Sequence, residues 1–314
     1  MTKVRTVAYP VAPAVLMSFA ALFAILCFLV YLQPRALSYI GVRLLLSYSM
    51  PLVLAAAAQM FIIVLGDIDL GIGPFISLSN SIAALYLPTN AFVAGILFLA
   101  SILAYAGMGA LIHARQLPSI VVTLGASFVW IGCAIIVMSR PGGSAPDWLV
   151  MLVRGTPPLV PPPVYLALLV FALCWYILFA SSYGSIIRAC GNNPAALAKS
   201  GWRLVGVKAA VYGVAGFFGV MAGIVLTGLN TTGDATSGGQ YTLLAIAAVI
   251  IGGGRFVGGH VSAAGTVVGA LILALTAALL SFMNISTDWQ LSVQGALLLI
   301  VLGIRAFFGS ERRP

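Results

Sequence analysis

The sequence predicts an all-α, polytopic transmembrane helical bundle, and three observations predict it. Only 7% of the 314 residues are charged and 62% are hydrophobic, with a mean hydropathy of +1.14. A soluble domain carries about a quarter of its residues charged to face water, so most of this surface must face lipid. The apolar residues also fall in long continuous runs, many near the roughly 20 residues that carry a helix across about 30 Å of hydrocarbon. Finally, the runs lack the roughly 10-residue dyad alternation of a membrane barrel. Because lipid offers the backbone no hydrogen bonds, such runs satisfy themselves as helix.

In chain order the runs cover 14–33, 44–65, 70–88, 91–112, 119–138, 164–180, 207–228, 240–253, 263–282 and 290–308. The first follows Lys3 and Arg5, as a signal peptide would. It is long for a signal core, however, and it closes on Tyr31-Leu32-Gln33-Pro34-Arg35 with no small-residue cleavage site. It therefore reads as the first transmembrane helix. Pro74 interrupts the third run, which adjoins Asp67 and Asp69, and the eighth run is short. Each of these two either spans or is re-entrant, so the expectation is about ten spans, with a range of about eight to ten.

With the N-terminus in the cytoplasm and an even number of alternating spans, the cations divide unequally. Lys3, Arg5, Arg115, Arg188, Lys199, Arg203, Lys208, Arg255, Arg305, Arg312 and Arg313 fall inside. Arg35, Arg43, Arg140 and Arg154 fall outside, giving eleven against four. Asp147, Asp234 and Asp288 also fall outside. The net charge of +9 is thus a positive-inside signature and not the footprint of a nucleic-acid partner. Both termini are expected in the cytoplasm.

The whole chain, 1–314, reads as a single transmembrane domain. Its longest polar stretches are 139–163, 181–206 and 229–240. The first is rich in Pro and Gly and reads as an ordered extracytoplasmic loop joining two halves, or as a short interfacial element. Gly219 and Gly223, like Gly265 and Gly269, have the four-residue spacing that lets transmembrane helices approach closely. Cys27, Cys133, Cys174 and Cys190 show neither metal spacing nor a disulfide framework and read as small apolar residues.

Enzyme chemistry finds little support. His113 and His260 have no Cys, Asp or Glu at ligand spacing, so no metal site is expected. There is no G-x-S-x-G, H-E-x-x-H or C-x-x-C. No Walker A loop is present either, so the chain cannot hydrolyse ATP by P-loop chemistry. The centres of the runs carry no ionisable residue, which argues against a proton relay and for a neutral substrate. Candidate pathway residues, chosen for polarity in or beside the runs, are Gln59, Ser77, Asn80, Thr123, Asn230 and Gln240. The alternative for each is an internal helix–helix hydrogen bond.

Three segments stand out. In Leu65-Gly66-Asp67-Ile68-Asp69-Leu70-Gly71-Ile72-Gly73, two carboxylates sit beside three glycines between apolar runs. Carboxylates there are costly unless partnered. Asp69 either caps the following helix or lines and gates a pathway. The second segment, 185–203, reads as cytoplasmic. Asn193 serves as N-cap, Pro194 as first helical residue and Gly201 as the stop of a short helix. It reads either as a solvated loop helix or as a docking element, since its small face, Ala195, Ala196 and Ala198, offers little to water and suits a partner's groove. The third runs from Ala245 through Ile251-Gly252-Gly253-Gly254-Arg255 to Gly258-Gly259-His260 and reads as a glycine-permitted cytoplasmic turn.

In this order and spacing, the three segments resemble the permease subunits of bacterial ATP-binding-cassette (ABC) importers for monosaccharides, the ribose-type permease family. The resemblance covers about residues 44–305. Ile68-Asp69-Leu70 and Gly73 match its G-G-I-D-L-S-V-G segment. Gly191, Asn193, Pro194, Ala196, Ser200 and Gly201 match its cytoplasmic segment. Residues 245–248, Ile251-Gly252-Gly253 and Gly258-Gly259 match its third. Permeases for branched-chain amino acids, autoinducer-2 and nucleosides share the general pattern. The departures are Asp67 and Gly71 in the first segment, Ala195 and Leu197 in the second and Arg255 in the third.

The resemblance implies a multi-pass protein of the bacterial inner membrane, not itself an enzyme. It implies a separate ABC ATPase subunit that holds ATP and Mg, a second permease chain alike or different, and a periplasmic or lipid-anchored substrate-binding protein. Around the chain lies membrane lipid. The 185–203 segment becomes a coupling segment that docks on the ATPase through Arg188, Gly191, Asn193, Pro194, Ala196, Ser200 and Gly201. Asp67, Asp69, Gly73, Gly252, Gly253, Gly258 and Gly259 become gating or structural motif residues. A facilitative channel or secondary carrier is the reading from another class.

Overall fold

A computed structural model describes residues 13–286 and the positions 289, 292, 293, 295, 296, 299 and 303. Thirteen α-helices occupy residues 13–286: α1 Pro13–Leu32, α2 Tyr39–Ser47, α3 Ser49–Ile63, α4 Ile72–Tyr86, α5 Ala91–Ala114, α6 Ser119–Val137, α7 Asp147–Arg154, α8 Pro162–Trp175, α9 Ser182–Asn192, α10 Pro194–Lys199, α11 Leu204–Asn230, α12 Tyr241–Ile251 and α13 Ala263–Phe282. A π-helical turn, Tyr176–Ala180, extends α8. No strand is present among the described residues beyond an isolated bridge between Gly142 and Gly233.

Among the described residues, six helices are long and apolar enough to cross a bilayer: α1, α5, α6, α8 with its π turn, α11 and α13. Helices α2 and α3, bent by 47° at their junction, make a seventh if counted as one span. The runs at 70–88 and 240–253 are helical only over 15 and 11 residues. At 1.5 Å per residue these reach about 22 Å and 16 Å, each short of a full crossing. Most of the run 290–308 lies outside the described residues.

Helix α3 is the centre of the bundle. Every residue from Ser49 to Ile63 is buried, packed by α11, α12, α13 and α8. Its Ala55–Ala58 stretch lets four neighbours approach without large side chains in the way. The periphery is the reverse. Phe23 of α1, Leu99 and Leu103 of α5, Phe128 and Ile136 of α6, and Leu168 and Leu169 of α8 are exposed apolar side chains, the surface that lipid wets.

Helix α4 begins beside the middle of α11, and α12 begins beside the start of α4. Gly219, midway along α11, packs on Ile72 and Phe75 at the start of α4. The Gly73 N–H donates to the hydroxyl of Thr242, at the start of α12, at 3.0 Å. From there the helices run to opposite ends. Helix α4 follows α11 to Asn80 and Thr227. Helix α12 runs back along α13 until Gly252 meets Gly265. Each short helix is therefore preceded by a non-helical segment, 64–71 or 231–240, that climbs to the middle of the bundle from one end.

Candidate functional site

Non-helical backbone at membrane depth survives only where protein groups satisfy it. In the 64–71 turn, the Ile68 N–H donates to Ser119 Oγ at 3.3 Å and the Leu70 N–H to Thr123 Oγ1 at 3.1 Å. Thr123 in turn donates to the Ile68 carbonyl at 3.3 Å. Asp69 is fully buried. Its Oδ1 accepts the Gly71 N–H at 2.7 Å and its Oδ2 accepts the Tyr105 hydroxyl; Gly71, and not Asp69, is the N-cap of α4, so the carboxylate ties the turn and bonds no N–H inside the helix. Phe75, Tyr105 and Trp130 wall this carboxylate, with Phe75 4.5 Å from Tyr105 and 5.4 Å from Trp130 between ring centroids.

The second turn, 231–240, is held from α4. Asn80 Oδ1 accepts the Asp234 N–H at 2.8 Å and the Ser237 hydroxyl at 3.3 Å. Its Nδ2 donates to Thr227 Oγ1 at 2.8 Å. Ser77 Oγ accepts the Gly238 N–H at 2.8 Å. Three of the six polar pathway candidates, Ser77, Asn80 and Thr123, are thus the side chains that hold the two turns. Gln59 is buried within α3, and neither of its amide atoms has a partner among the described residues. Asn230 and Gln240 are exposed, one at the end of α11 and the other just before α12.

At one end of the bundle the three singled-out segments meet backbone to backbone. The Gly259 N–H donates to the Val64 carbonyl at 2.7 Å. A Cβ on Gly191 would overlap that same carbonyl oxygen and lie 2.7 Å from the Gly259 nitrogen. Gly258, at φ +82°, has so little space that a Cβ would meet the Gly191 carbonyl oxygen at 2.7 Å. Gly252 lies further back, pressed on Gly265, and Gly253 turns the chain at φ +101°. At Gly191, Gly258 and Gly259 no residue larger than glycine fits without a shift of its neighbours.

The segment 185–203 is built as the sequence suggests. Asn193 Oδ1 accepts the Ala196 N–H at 3.0 Å, Pro194 opens α10, and Gly201 ends it at φ +92°. Leu197 alone in α10 turns inward, while Ala195, Ala196, Ala198, Lys199 and Ser200 are exposed. Arg188 lies over the Phe179 ring at 4.9 Å, and Trp202 meets Tyr183 edge to face. The fixed elements are thus α9 and the glycine contacts behind it, and the exposed element is α10.

Beneath the glycine junction, Asp67 Oδ2 accepts from Lys208 Nζ at 2.8 Å and from the Tyr212 hydroxyl at 3.3 Å. Burial pushes the thiol of Cys190, on α9, up, and Lys208 pulls it the other way. Sequence reasoning did not single out Lys208, Tyr212 or Tyr105. Lys208 and Tyr212 carried a usable signal: polar groups four apart share a helix face, here at the start of an apolar run. No group of His, Cys, Asp or Glu able to hold a metal occurs among the described residues.

The family described as "branched-chain amino acid transport system / permease component" matches residues 41–302, which include both turns and the junction. The chain belongs to this permease family. Its members are transport-system components and not enzymes. The permease is 27% identical over 305 residues to the ribose import permease protein of Haemophilus influenzae, covering 94% of each chain. To the ribose import permease protein of Bacillus subtilis it is 29% identical over 292 residues, 90% of each. The xylose transport system permease protein of Escherichia coli is 36% identical over 155 residues, 49% of this chain and 38% of that one. No solved structure matches the chain. With its apolar helices, the family membership makes this a multi-pass membrane protein.

Proposed function

We propose that the permease is the membrane-spanning subunit of an ABC importer that carries a monosaccharide across the bacterial inner membrane. Two permease chains form the pathway. A periplasmic or lipid-anchored binding protein delivers the sugar, and a separate ATPase subunit holds ATP and Mg and grips the 185–203 segment. The junction end is cytoplasmic. In support, Arg115, Arg188, Lys199, Arg203, Lys208 and Arg255 belong to that end, and Arg35, Arg43, Arg140 and Arg154 to the other, among the described residues. This is the positive-inside bias, and both termini of the chain are assigned to the same side.

One observation carries the reading. The exposed helix α10 is held, through α9 and Gly191, against the start of the non-helical turn 64–71 and against Gly258-Gly259. ATP-driven displacement of α10 therefore reaches a turn that is tied by side-chain hydrogen bonds and not by a helical ladder. Such a turn is a place where a bundle can change between discrete packings. The sugar assignment is supported by the ribose and xylose permeases among the relatives and by the scarcity of charge in the spans.

Replacing Ala195 and Ala198 together with arginine tests the docking face without disturbing the fold, since both are exposed. The native chain, solubilised in detergent from its host, is expected to bring down an ATPase identifiable by mass spectrometry. The double variant is expected to lose it while eluting as a folded, monodisperse protein. Retention of the ATPase by the variant would place the docking face elsewhere. Absence of any ATPase with the native chain, under conditions that preserve a control complex, would remove ATP coupling altogether.

A further inference from the structure

We infer that the Asp67–Lys208 ion pair is a positioning contact that sets α11 in register with the glycine junction, so that movement of the coupling segment is passed to the longest helix of the bundle. The inference rests on the coupling role proposed for 185–203. This is the one ion pair among the described residues, and it joins segments 141 positions apart.

Both side chains are largely shielded, at 14% exposure for Lys208 and 11% for Asp67. A shielded pair of this kind adds little net stability, because desolvation of two charges offsets their attraction. Its best-attested use is to fix register. The surroundings fit that use. Asp67 directly follows Gly66, whose φ of +80° turns the chain at the junction, where a Cβ would lie 3.7 Å from the Gly258 Cα. Lys208 is in the second turn of α11, and Tyr212, one turn on, also donates to Asp67. Cys190 of α9 and His113 near the end of α5 both lie close enough to feel the two charges.

From α10 inward the route is therefore α9, the Gly191 contact with Val64, the turn at Gly66-Asp67, and α11. Along α11, Gly219 and Gly223 lie against α4, and Thr227 bonds Asn80, which holds the second turn. Movement delivered to Lys208 thus reaches both non-helical turns through one helix.

The test compares Asp67→Asn, Lys208→Gln, Lys208→Arg and the exchanged double variant Asp67→Lys/Lys208→Asp in the assembled transporter. The neutral single variants are expected to keep the ATPase bound but to lose ATP-driven sugar uptake on the order of tenfold, the size of an ordinary coupling between sites. Lys208→Arg keeps the charge and is expected to retain uptake, and the exchanged pair is expected to recover most of it. Uptake at the native level in either neutral variant, or no recovery in a folded exchanged variant, would overturn the inference. Hydrogen exchange in the permease alone, in nanodiscs, separates this from failure of the coupling role. Faster exchange over 64–71 and 204–212 in the neutral variants, reversed in the exchanged pair, supports the register contact whether or not an ATPase binds. Unchanged exchange there would overturn it.

Discussion

Replacing Gly191 with alanine is expected to destabilise the permease by on the order of 3 kcal/mol, the upper end of the range for forcing atoms into a packed site. The added methyl would overlap the Val64 carbonyl oxygen and crowd the Gly259 nitrogen. Those two groups share a 2.7 Å hydrogen bond, so the methyl must push apart segments that hold each other. Neither neighbour is a flexible side chain that could swing aside. Gly206→Ala supplies the control. It lies in the first turn of α11 with open space around it, and there alanine is expected to stabilise by about 0.5–1 kcal/mol by reducing backbone freedom. Thermal unfolding in nanodiscs reads both. Equal midpoints for Gly191→Ala and the native chain would mean that the backbones at the junction do not touch.

Asn80→Leu is the second large effect. Leucine keeps the branched shape but leaves the Asp234 N–H, the Ser237 hydroxyl and Thr227 without the amide that bonds them. An unsatisfied buried polar group costs about 1–3 kcal/mol, and water is scarce at this depth to replace the bonds. The expected loss is about 3 kcal/mol, with faster hydrogen exchange confined first to 231–240. An effect spread evenly along α4 and α11 would instead mark Asn80 as a packing residue with no special hold on the turn.

How much of this was legible in the sequence depended on which physical signal each element carried. The long apolar helices α1, α5, α6, α11 and α13 were readable to within three residues at either end, because lipid imposes an apolar run on any helix that crosses it. For the short helices α4 and α12 the sequence leaves two readings open, a span or a re-entrant segment, with Pro74 and the shortness of 240–253 as the clues. Buried non-helical backbone is as apolar in composition as the helix it precedes, so 70–88 and 240–253 look like spans with a blemish. The cap geometry of α10 was legible because Asn193, Pro194 and Gly201 each have a local conformational reason to be there. What Ser77, Asn80 and Thr123 bond was not. Polarity marks such residues, but a pathway and a backbone acceptor leave the same trace in one sequence.

The glycine junction shows the same limit from the other side. In the sequence Gly258 and Gly259 read as turn residues and Gly191 as part of the docking segment, and only the packing shows that they meet at one point. Asp67 departs from the glycine usual at its place in the ribose-type pattern. Its partner, Lys208, lies on α11 and counted in the sequence only as one more cytoplasmic cation. The spacing of Lys208 and Tyr212 marks one face of α11, but nothing local identifies the partner of that face.

Inward movement of a sugar at the expense of ATP held by a separate subunit is most directly tested by uptake. Radiolabelled ribose and xylose would be offered to proteoliposomes holding the permease with its co-purified ATPase and the binding protein, with ATP and Mg on the ATPase side. The account predicts accumulation of at least one of the two sugars above its outside concentration, lost when ATP is omitted and lost in Ala195→Arg/Ala198→Arg. Equilibration without accumulation, equal with and without ATP, would contradict it and identify a facilitative pathway.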